Sequence, residues 1–132
     1  MNRFDVYVVD SSALLLYLLP DEKLSISVKS ILNKFFRNEI SLAAPHILKY
    51  EVGNALKSAV KQKRLDTTQA IIAYTSFLDF SIQYFTPNYQ ETLQLSIQHN
   101  LSFYDASYLC LAQEKKAKLL TLDKKLLTCL PK

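Results

Sequence analysis

Four carboxylates lie far apart in the sequence, at positions where a folded chain could collect them: Asp10, Glu51, Asp105 and Asp123. Asp105 is the least ordinary of these four acids, because it stands in an apolar run that a helix would bury on most sides. An ionised group avoids such surroundings unless a hydrogen bond, a counter-charge or a metal compensates its charge. A set of oxygen ligands favours Mg²⁺ or Mn²⁺ over zinc.

Helix capping offers a plainer explanation for each aspartate taken alone. Ser102 and Asp105 have the spacing of a capping box, and Asp123 can cap a helix that begins at the next residue. A single glutamate such as Glu51 ordinarily belongs to a solvated helix face. Capping does not explain a convergence of the four acids, so the metal hypothesis depends on whether the fold brings them together.

Size and composition narrow the classes of protein to consider. The 132 residues predict one domain, spanning 1–132, and the balance of 49% hydrophobic and 21% charged residues is typical of a globular protein. Because Gly53 is the only glycine, the glycine-rich nucleotide-binding motifs are excluded. Two histidines are too few for a zinc site. The longest apolar run is too short for a membrane span, so we expect a cytoplasmic protein.

The charge balance leaves two interpretations open. The net charge is +4, and commitment of four acids to a metal would make the remaining surface more basic. Such a surface favours a polyanion such as nucleic acid. Lysines near helix ends are also ordinary solvated residues that the helix dipole favours.

Hydrophobic periodicity predicts alternating strands and helices along the chain. Strands are predicted at residues 4–9, 40–43, 81–85 and 119–122. Helices are predicted at residues 11–18, 22–37, 45–63, 66–77, 87–100 and 103–116, with a short helix or strand at the end of the chain. This alternation predicts an α/β sandwich around a parallel sheet.

The predicted topology places most of the four acids at one edge of the sheet. The carboxyl ends of parallel strands share an edge, which is where open α/β sheets bind ligands. Asp10 and Asp123 follow strands, and Glu51 lies within two turns of a helix that follows one. Asp105 joins them only if its own helix begins at the same edge. A divalent ion held there would favour metal-assisted hydrolysis of a phosphodiester, and hence of nucleic acid.

Four ordered motifs also carry a family resemblance, which extends over essentially the whole chain. The segments VVDSSALL, PHILKYEVGNAL, LSFYDASYLCLA and LLTLD resemble the PIN-domain nucleases. The compact form is similar to the VapC-type toxins of toxin–antitoxin pairs. The resemblance implies a three-layer sandwich with a central parallel sheet of about five strands, and endoribonuclease activity with Mg²⁺ or Mn²⁺. It also implies a homodimer and a cognate antitoxin, for which residues 51–77 form a predicted contact surface.

The resemblance assigns roles by position. The four acids would be the catalytic, metal-coordinating residues. Supporting roles would fall to three polar residues: Ser12, Asn54 and Thr121. Two alternatives stay open, a non-catalytic RNA- or protein-binding module and a metal-dependent phosphatase or nuclease of a related α/β fold. The haloacid-dehalogenase pattern would need a second aspartate where Ser12 stands.

Overall fold

The computed structural model describes residues 5–21 and 25–130. The strands are β1 (Val6–Val9), β2 (Ser41–Pro45), β3 (Gln83–Phe85) and β4 (Lys118–Leu120). The helices are α1 (Ser11–Leu18), α2 (Ile26–Phe36), α3 (Ile47–Lys61), α4 (Thr67–Leu78), α5 (Tyr89–His99), α6 (Phe103–Lys115) and α7 (Lys124–Thr128).

The strands form one parallel sheet in the order β3-β2-β1-β4. The predicted parallel α/β architecture is therefore confirmed, with four strands in the described part of the chain rather than about five. Strand β1 pairs with β2 on one side and with β4 on the other, and both Val8 and Val9 are fully buried. Because β1 is central, Asp10 emerges in the middle of the carboxyl edge of the sheet.

Helices flank the sheet and carry most of the core. Helix α6 packs against β1, β2 and β4 as well as against α5, and its residues 106–112 are all buried. Helix α3 packs against α1 and against α4. Because α6 and α3 both rest against strands, the residues of their first turns are held near the sheet edge.

Several predicted boundaries agree with the structure. Helix α1 covers the predicted residues, and α4 begins with a complete capping box between Asp66 and Gln69. The first residue of the predicted strand at 4–9 and the first three of the predicted helix at 22–37 lie outside the described residues. No helix in the described part of the chain is long and apolar enough to cross a membrane.

Other predicted boundaries were wrong, for local reasons. Pro45 closes β2, opposite Phe85 of β3, and α3 begins two residues later; a strand end tolerates a residue without an N–H. Asn88 caps α5 by accepting from the backbone N–H of Glu91, so the helix does not begin at Pro87. Strand β3 is two residues shorter than predicted. The short helix or strand predicted after β4 is a helix, α7.

Replacement of Gly53 by alanine should stabilise the protein. The new methyl group would lie 3.4 Å from ring atoms of Tyr74, which is ordinary van der Waals contact. Alanine is more favourable than glycine inside a helix by about 1 kcal/mol, so we expect Gly53→Ala to raise the free energy of unfolding by about 0.5–1 kcal/mol. Urea denaturation of both proteins measures the change. A lower free energy of unfolding in the variant would mean that α3 and α4 have no room for the methyl group.

Candidate metal centre

Asp10 lies directly after β1 and caps helix α1. Its Oδ1 accepts hydrogen bonds from the Ser12 hydroxyl at 2.6 Å and from the Ala13 backbone N–H at 3.2 Å. Its Oδ2 accepts a hydrogen bond from the Thr121 hydroxyl. The residue is only 5% exposed, and this burial raises the pKa of the Asp10 carboxyl above 3.8, although the three hydrogen bonds oppose the rise. Both oxygens are therefore fixed in position before any ligand arrives.

The hydroxyls that hold Asp10 also join the ends of β1 and β4. Ser12 accepts a hydrogen bond from the Leu122 backbone N–H at 2.9 Å, and Thr121 accepts one from the Asp123 backbone N–H at 2.9 Å. These contacts fix the segment after β4 against Asp10. Ser12 and Thr121 therefore both contact Asp10, and the supporting roles that the resemblance implies for them stay predictions.

Asp123 caps helix α7 at the same edge. Its Oδ1 accepts from the backbone N–H groups of Lys125 and Leu126, at 2.9 and 3.3 Å. This is the predicted capping role, and both of its hydrogen bonds use Oδ1 rather than Oδ2. The negative charge of Asp123 contributes to the raised pKa of Asp10. The two residues are thus electrostatic neighbours.

Glu51 lies in the second turn of α3 and is half-buried. Burial raises the pKa of its carboxyl, and the negative charges of Asp105 and Asp10 raise it further, against the hydrogen bond from Tyr108. The Tyr108 hydroxyl donates that bond to Oε1. Tyr108 is 1% exposed, and this burial raises the pKa of its phenol well above the ordinary value. The negative charge of Glu51 raises it further.

Sequence reasoning missed Tyr108 and assigned it to an apolar run. Its spacing contained a usable signal, because Tyr108 follows Asp105 by three residues and so lies on the same helical face. A tyrosine one turn from a candidate ligand has a hydroxyl that needs a partner once it is buried. In the structure that partner is Glu51.

Asp105 opens α6, and its backbone N–H donates to the Ser102 hydroxyl at 3.0 Å, as a helix cap requires. Burial raises the pKa of the Asp105 carboxyl above 3.8, and the charge of Asp123 raises it further. The hydrogen bond with Ser102 and the positive charge of Lys125 oppose the rise. Helix α6 therefore does begin at the edge where the other acids lie.

The four acids influence one another electrostatically across four different segments of the chain. The coupled pairs are Asp10 with Asp123, Asp10 with Glu51, Glu51 with Asp105, and Asp105 with Asp123. However, no three of these carboxylates have oxygens that all lie within 4.8 Å of one another. Magnesium is commonly held by only one or two carboxylates and retains several waters, so this looser arrangement suits it.

A tighter group of possible ligands lies elsewhere, between α5 and α6. Among the described residues, Glu91, Cys110 and Glu114 have ligand atoms within 4.8 Å of one another. Glu114 already accepts a hydrogen bond from the Asn88 backbone N–H at 2.8 Å, and burial raises the pKa of the Cys110 thiol. These contacts fasten the start of α5 to α6, and a protonated thiol is a poor metal ligand.

Asn54 is exposed and lines a groove of about 650 Å³ between α3 and α4, which we call the α3–α4 groove. Tyr50 and Ile71 also line this groove, and both are largely exposed. The supporting role that the resemblance implies for Asn54 stays a prediction.

Comparison with known proteins identifies the family. Residues 7–128 match the PIN domain, and the chain belongs to the PIN domain family. Ribonuclease VapC1 of Mycobacterium tuberculosis is 32% identical over 124 residues, which cover 92% of this chain and 89% of the relative. Exonuclease VapC9 of Pyrobaculum aerophilum is 30% identical over 121 residues, which cover 92% of this chain and 83% of the relative. PIN nucleases generally depend on divalent metal ions.

Two crystal structures share the fold. PAE2754 from Pyrobaculum aerophilum superimposes with a TM-score of 0.73 at 26% sequence identity, covering 96% of this chain and 84% of that chain. VapC20 of Mycobacterium tuberculosis, described as a toxin that cleaves the sarcin–ricin loop, gives a TM-score of 0.64 at 12% identity. It covers 93% of this chain and 94% of its own, and at this identity the likeness concerns the fold alone.

The raised pKa values predict how the stability of the metal-free protein depends on pH. Because the pKa of Asp105 is higher in the folded than in the unfolded state, the folded protein holds this proton more tightly. Stability should therefore fall as the pH rises above 3.8, until the pH has passed the raised pKa of the folded state. In EDTA, we expect this fall to be smaller for Asp105→Asn than for the wild type. Thermal melts across this pH range measure it, and Asp66→Asn controls for the change from carboxylate to amide. An equal loss of stability with rising pH in Asp105→Asn and in the wild type would contradict the raised pKa of Asp105 in the folded protein.

Proposed function

We propose that this chain is one nuclease domain that cleaves RNA internally with the help of a divalent metal ion, and that it is the toxin of a toxin–antitoxin pair. The observation that carries the proposal is the electrostatic coupling of the four acids at the carboxyl edge of a PIN-domain sheet. The name of one relative, Ribonuclease VapC1, supports RNA as the substrate. The basic net charge of +4 suits a polyanion.

The chemistry of the four acids fits a hard divalent cation. Burial raises the pKa of Asp10, Glu51 and Asp105, and the negative charges of neighbouring acids raise it further, so a bound cation would stabilise the ionised carboxylates. All the donors are carboxylate oxygens, which match Mg²⁺ or Mn²⁺. The ligands would be Asp10, Glu51, Asp105 and Asp123. Such an ion, when bound, would polarise the scissile phosphate and lower the pKa of water.

The surrounding residues prepare the ligands for this task. Ser12 and Thr121 fix both oxygens of Asp10, and Tyr108 fixes one oxygen of Glu51. Hydrogen-bonded ligands of this kind keep one orientation, which strengthens metal binding. Lys125, whose charge reaches Asp105, adds a cation beside the acids that can attract the RNA backbone.

Replacement of single acids by their amides separates a metal site from a set of helix caps. Asparagine caps a helix about as well as aspartate, so a cap should tolerate Asp10→Asn or Asp105→Asn. Loss of residues that only support metal ligands lowers activity by about 10- to 100-fold, so loss of a ligand should lower it by at least about 100-fold. The assay measures linearisation of a circular single-stranded RNA in Mn²⁺ and in EDTA, since a circle has no end for an exonuclease.

The control for this experiment is Asp66→Asn. Asp66 caps α4 in a capping box and is exposed, so it undergoes the same chemical change away from the acids. We expect this variant to cleave like the wild type and EDTA to stop both. Full cleavage by Asp10→Asn and Asp105→Asn would show that the acids are caps and would favour a different site.

The antitoxin would contact the α3–α4 groove. Tyr50 and Ile71 expose apolar surface there, and Ile72 of α4 is largely exposed beside it. Exposed apolar patches of this kind commonly mark a protein interface. The groove is also lined by Lys49 and Lys57, which would attract an acidic partner segment. The homodimer that the resemblance implies stays a prediction, which light scattering can measure.

Placement of a charge in the α3–α4 groove should weaken antitoxin binding. We expect Ile71→Asp to reduce affinity at least about tenfold, because a buried, unpaired carboxylate is costly at an apolar interface. The partner in this assay would be the product of a small reading frame next to the gene for this chain, where the toxin–antitoxin hypothesis expects the antitoxin to be encoded, and calorimetry measures its affinity. Leu93→Asp places the same charge at an exposed leucine of α5, outside the groove, and should bind normally. Unchanged affinity of Ile71→Asp would show that the antitoxin binds to another surface.

A further inference from the structure

A second pocket opens beside the four acids, where β2 and β3 end and α6 begins. It has a volume of about 210 Å³. We call it the base pocket, and its lining includes Pro45, His46, Phe85, Tyr89, Phe103 and Tyr104. Its lining includes none of the four acids and no residue that lines the α3–α4 groove.

The base pocket and the acids share two helices. Tyr104 immediately precedes Asp105 in the first turn of α6. Ile47, which also lines the pocket, lies four residues before Glu51 in α3, a helical rise of about 6 Å. An RNA strand whose phosphate lies at the acids therefore has a neighbouring nucleotide within reach of the pocket.

The aromatic rings of the base pocket are unusually exposed. Tyr89, Tyr104 and Phe103 are 69%, 58% and 40% exposed, in contrast to the buried Phe77 of the core. Aromatic side chains held at a surface are the usual stacking partners of unpaired bases. The volume suits one ring system and is too small for a helix or for double-stranded RNA.

Two lysines and a histidine contact the neighbouring rings of β3, Tyr84 and Phe85, and Phe85 itself lines the base pocket. His46 stacks on Tyr84 with ring centroids 5.8 Å apart, and the Lys49 ammonium lies 4.4 Å from the centroid of the same tyrosine. The Lys115 ammonium lies 3.7 Å from the centroid of Phe85. A combination of aromatic rings and nearby cations matches single-stranded nucleic acid, whose bases stack while its phosphates meet the cations.

We propose that the base pocket holds one unpaired base of the RNA, next to the phosphodiester that is cut at the four acids. This inference rests on the proposed ribonuclease function and adds a substrate feature to it, a single-stranded nucleotide beside the cleavage site. Tyr104 and Tyr89 provide the stacking surface. The Lys115 ammonium over Phe85, a ring that lines the pocket, favours RNA over an aromatic side chain of a protein partner.

The first test removes the base. A single-stranded RNA with one cleavage site is prepared with an abasic ribose at each position around that site in turn. We expect one abasic position to lower kcat/KM about tenfold for the wild type, within the range measured for the loss of one stacked base. On intact RNA, Tyr104→Ala and Tyr89→Ala should lower kcat/KM by a similar factor. On the abasic RNA, these variants should show little further decrease in kcat/KM. Tyr104→Phe keeps the ring and should retain activity.

Tyr17→Ala is the matched control, because Tyr17 is a half-exposed tyrosine of α1 outside the base pocket. It should cleave intact and abasic RNA with the wild-type ratio. If the wild type cleaves every abasic RNA as fast as intact RNA, the base pocket does not bind a base, while the proposed function stands. If Tyr104→Ala still discriminates between the two RNAs as the wild type does, the pocket assignment is also overturned.

A binding measurement separates failure of the pocket from failure of the proposed function. In EDTA, a single-stranded RNA that contains 2-aminopurine loses fluorescence when its modified base stacks on a ring. We expect the wild type and Tyr17→Ala to quench it and Tyr104→Ala to quench it much less. Quenching without any RNA cleavage in Mn²⁺ would support the pocket and overturn the proposed function. Absence of both quenching and cleavage would overturn both.

Discussion

A buried carboxylate at the end of the central strand is the constraint on which the candidate site depends. Asp10 loses hydration because β1 lies between β2 and β4, and burial raises the pKa of its carboxyl. Hydroxyls on two segments, Ser12 and Thr121, replace part of the lost water. The same two hydroxyls accept hydrogen bonds from backbone N–H groups of the segment that follows β4. The need to solvate one carboxylate therefore also fixes the position of Asp123.

Much of the architecture could be predicted from local patterns. The continuous apolar character of β1 predicted a central parallel strand, and the structure places it between two neighbours. The short polar signals at helix starts predicted caps at Asp66, Ser102 and Asp123, and all three act as caps. Proline was a less reliable signal. Pro45 and Pro87 were both read as first helical residues, but Pro45 ends a strand, and Pro87 precedes the asparagine that caps α5.

Contacts between distant segments account for most of what the sequence did not predict. The proximity of Asp105 to the other acids depended on where α6 begins, which required the packing of α6 on the sheet. The hydrogen bond from Tyr108 to Glu51 joins two helices that are 57 residues apart in the chain. Asn54 follows Glu51 by three residues but lines the α3–α4 groove. The base pocket likewise collects residues from two strand ends and three helices, which no local pattern records.

A crystallographic experiment tests directly whether the four acids form the metal site. Crystals soaked in Mn²⁺ and measured near the manganese absorption edge would locate the ion by its anomalous scattering. We expect a peak among Asp10, Glu51, Asp105 and Asp123, in contact with at least one of their oxygens. No peak there, or a peak only beside the Glu91, Cys110 and Glu114 group between α5 and α6, would contradict it.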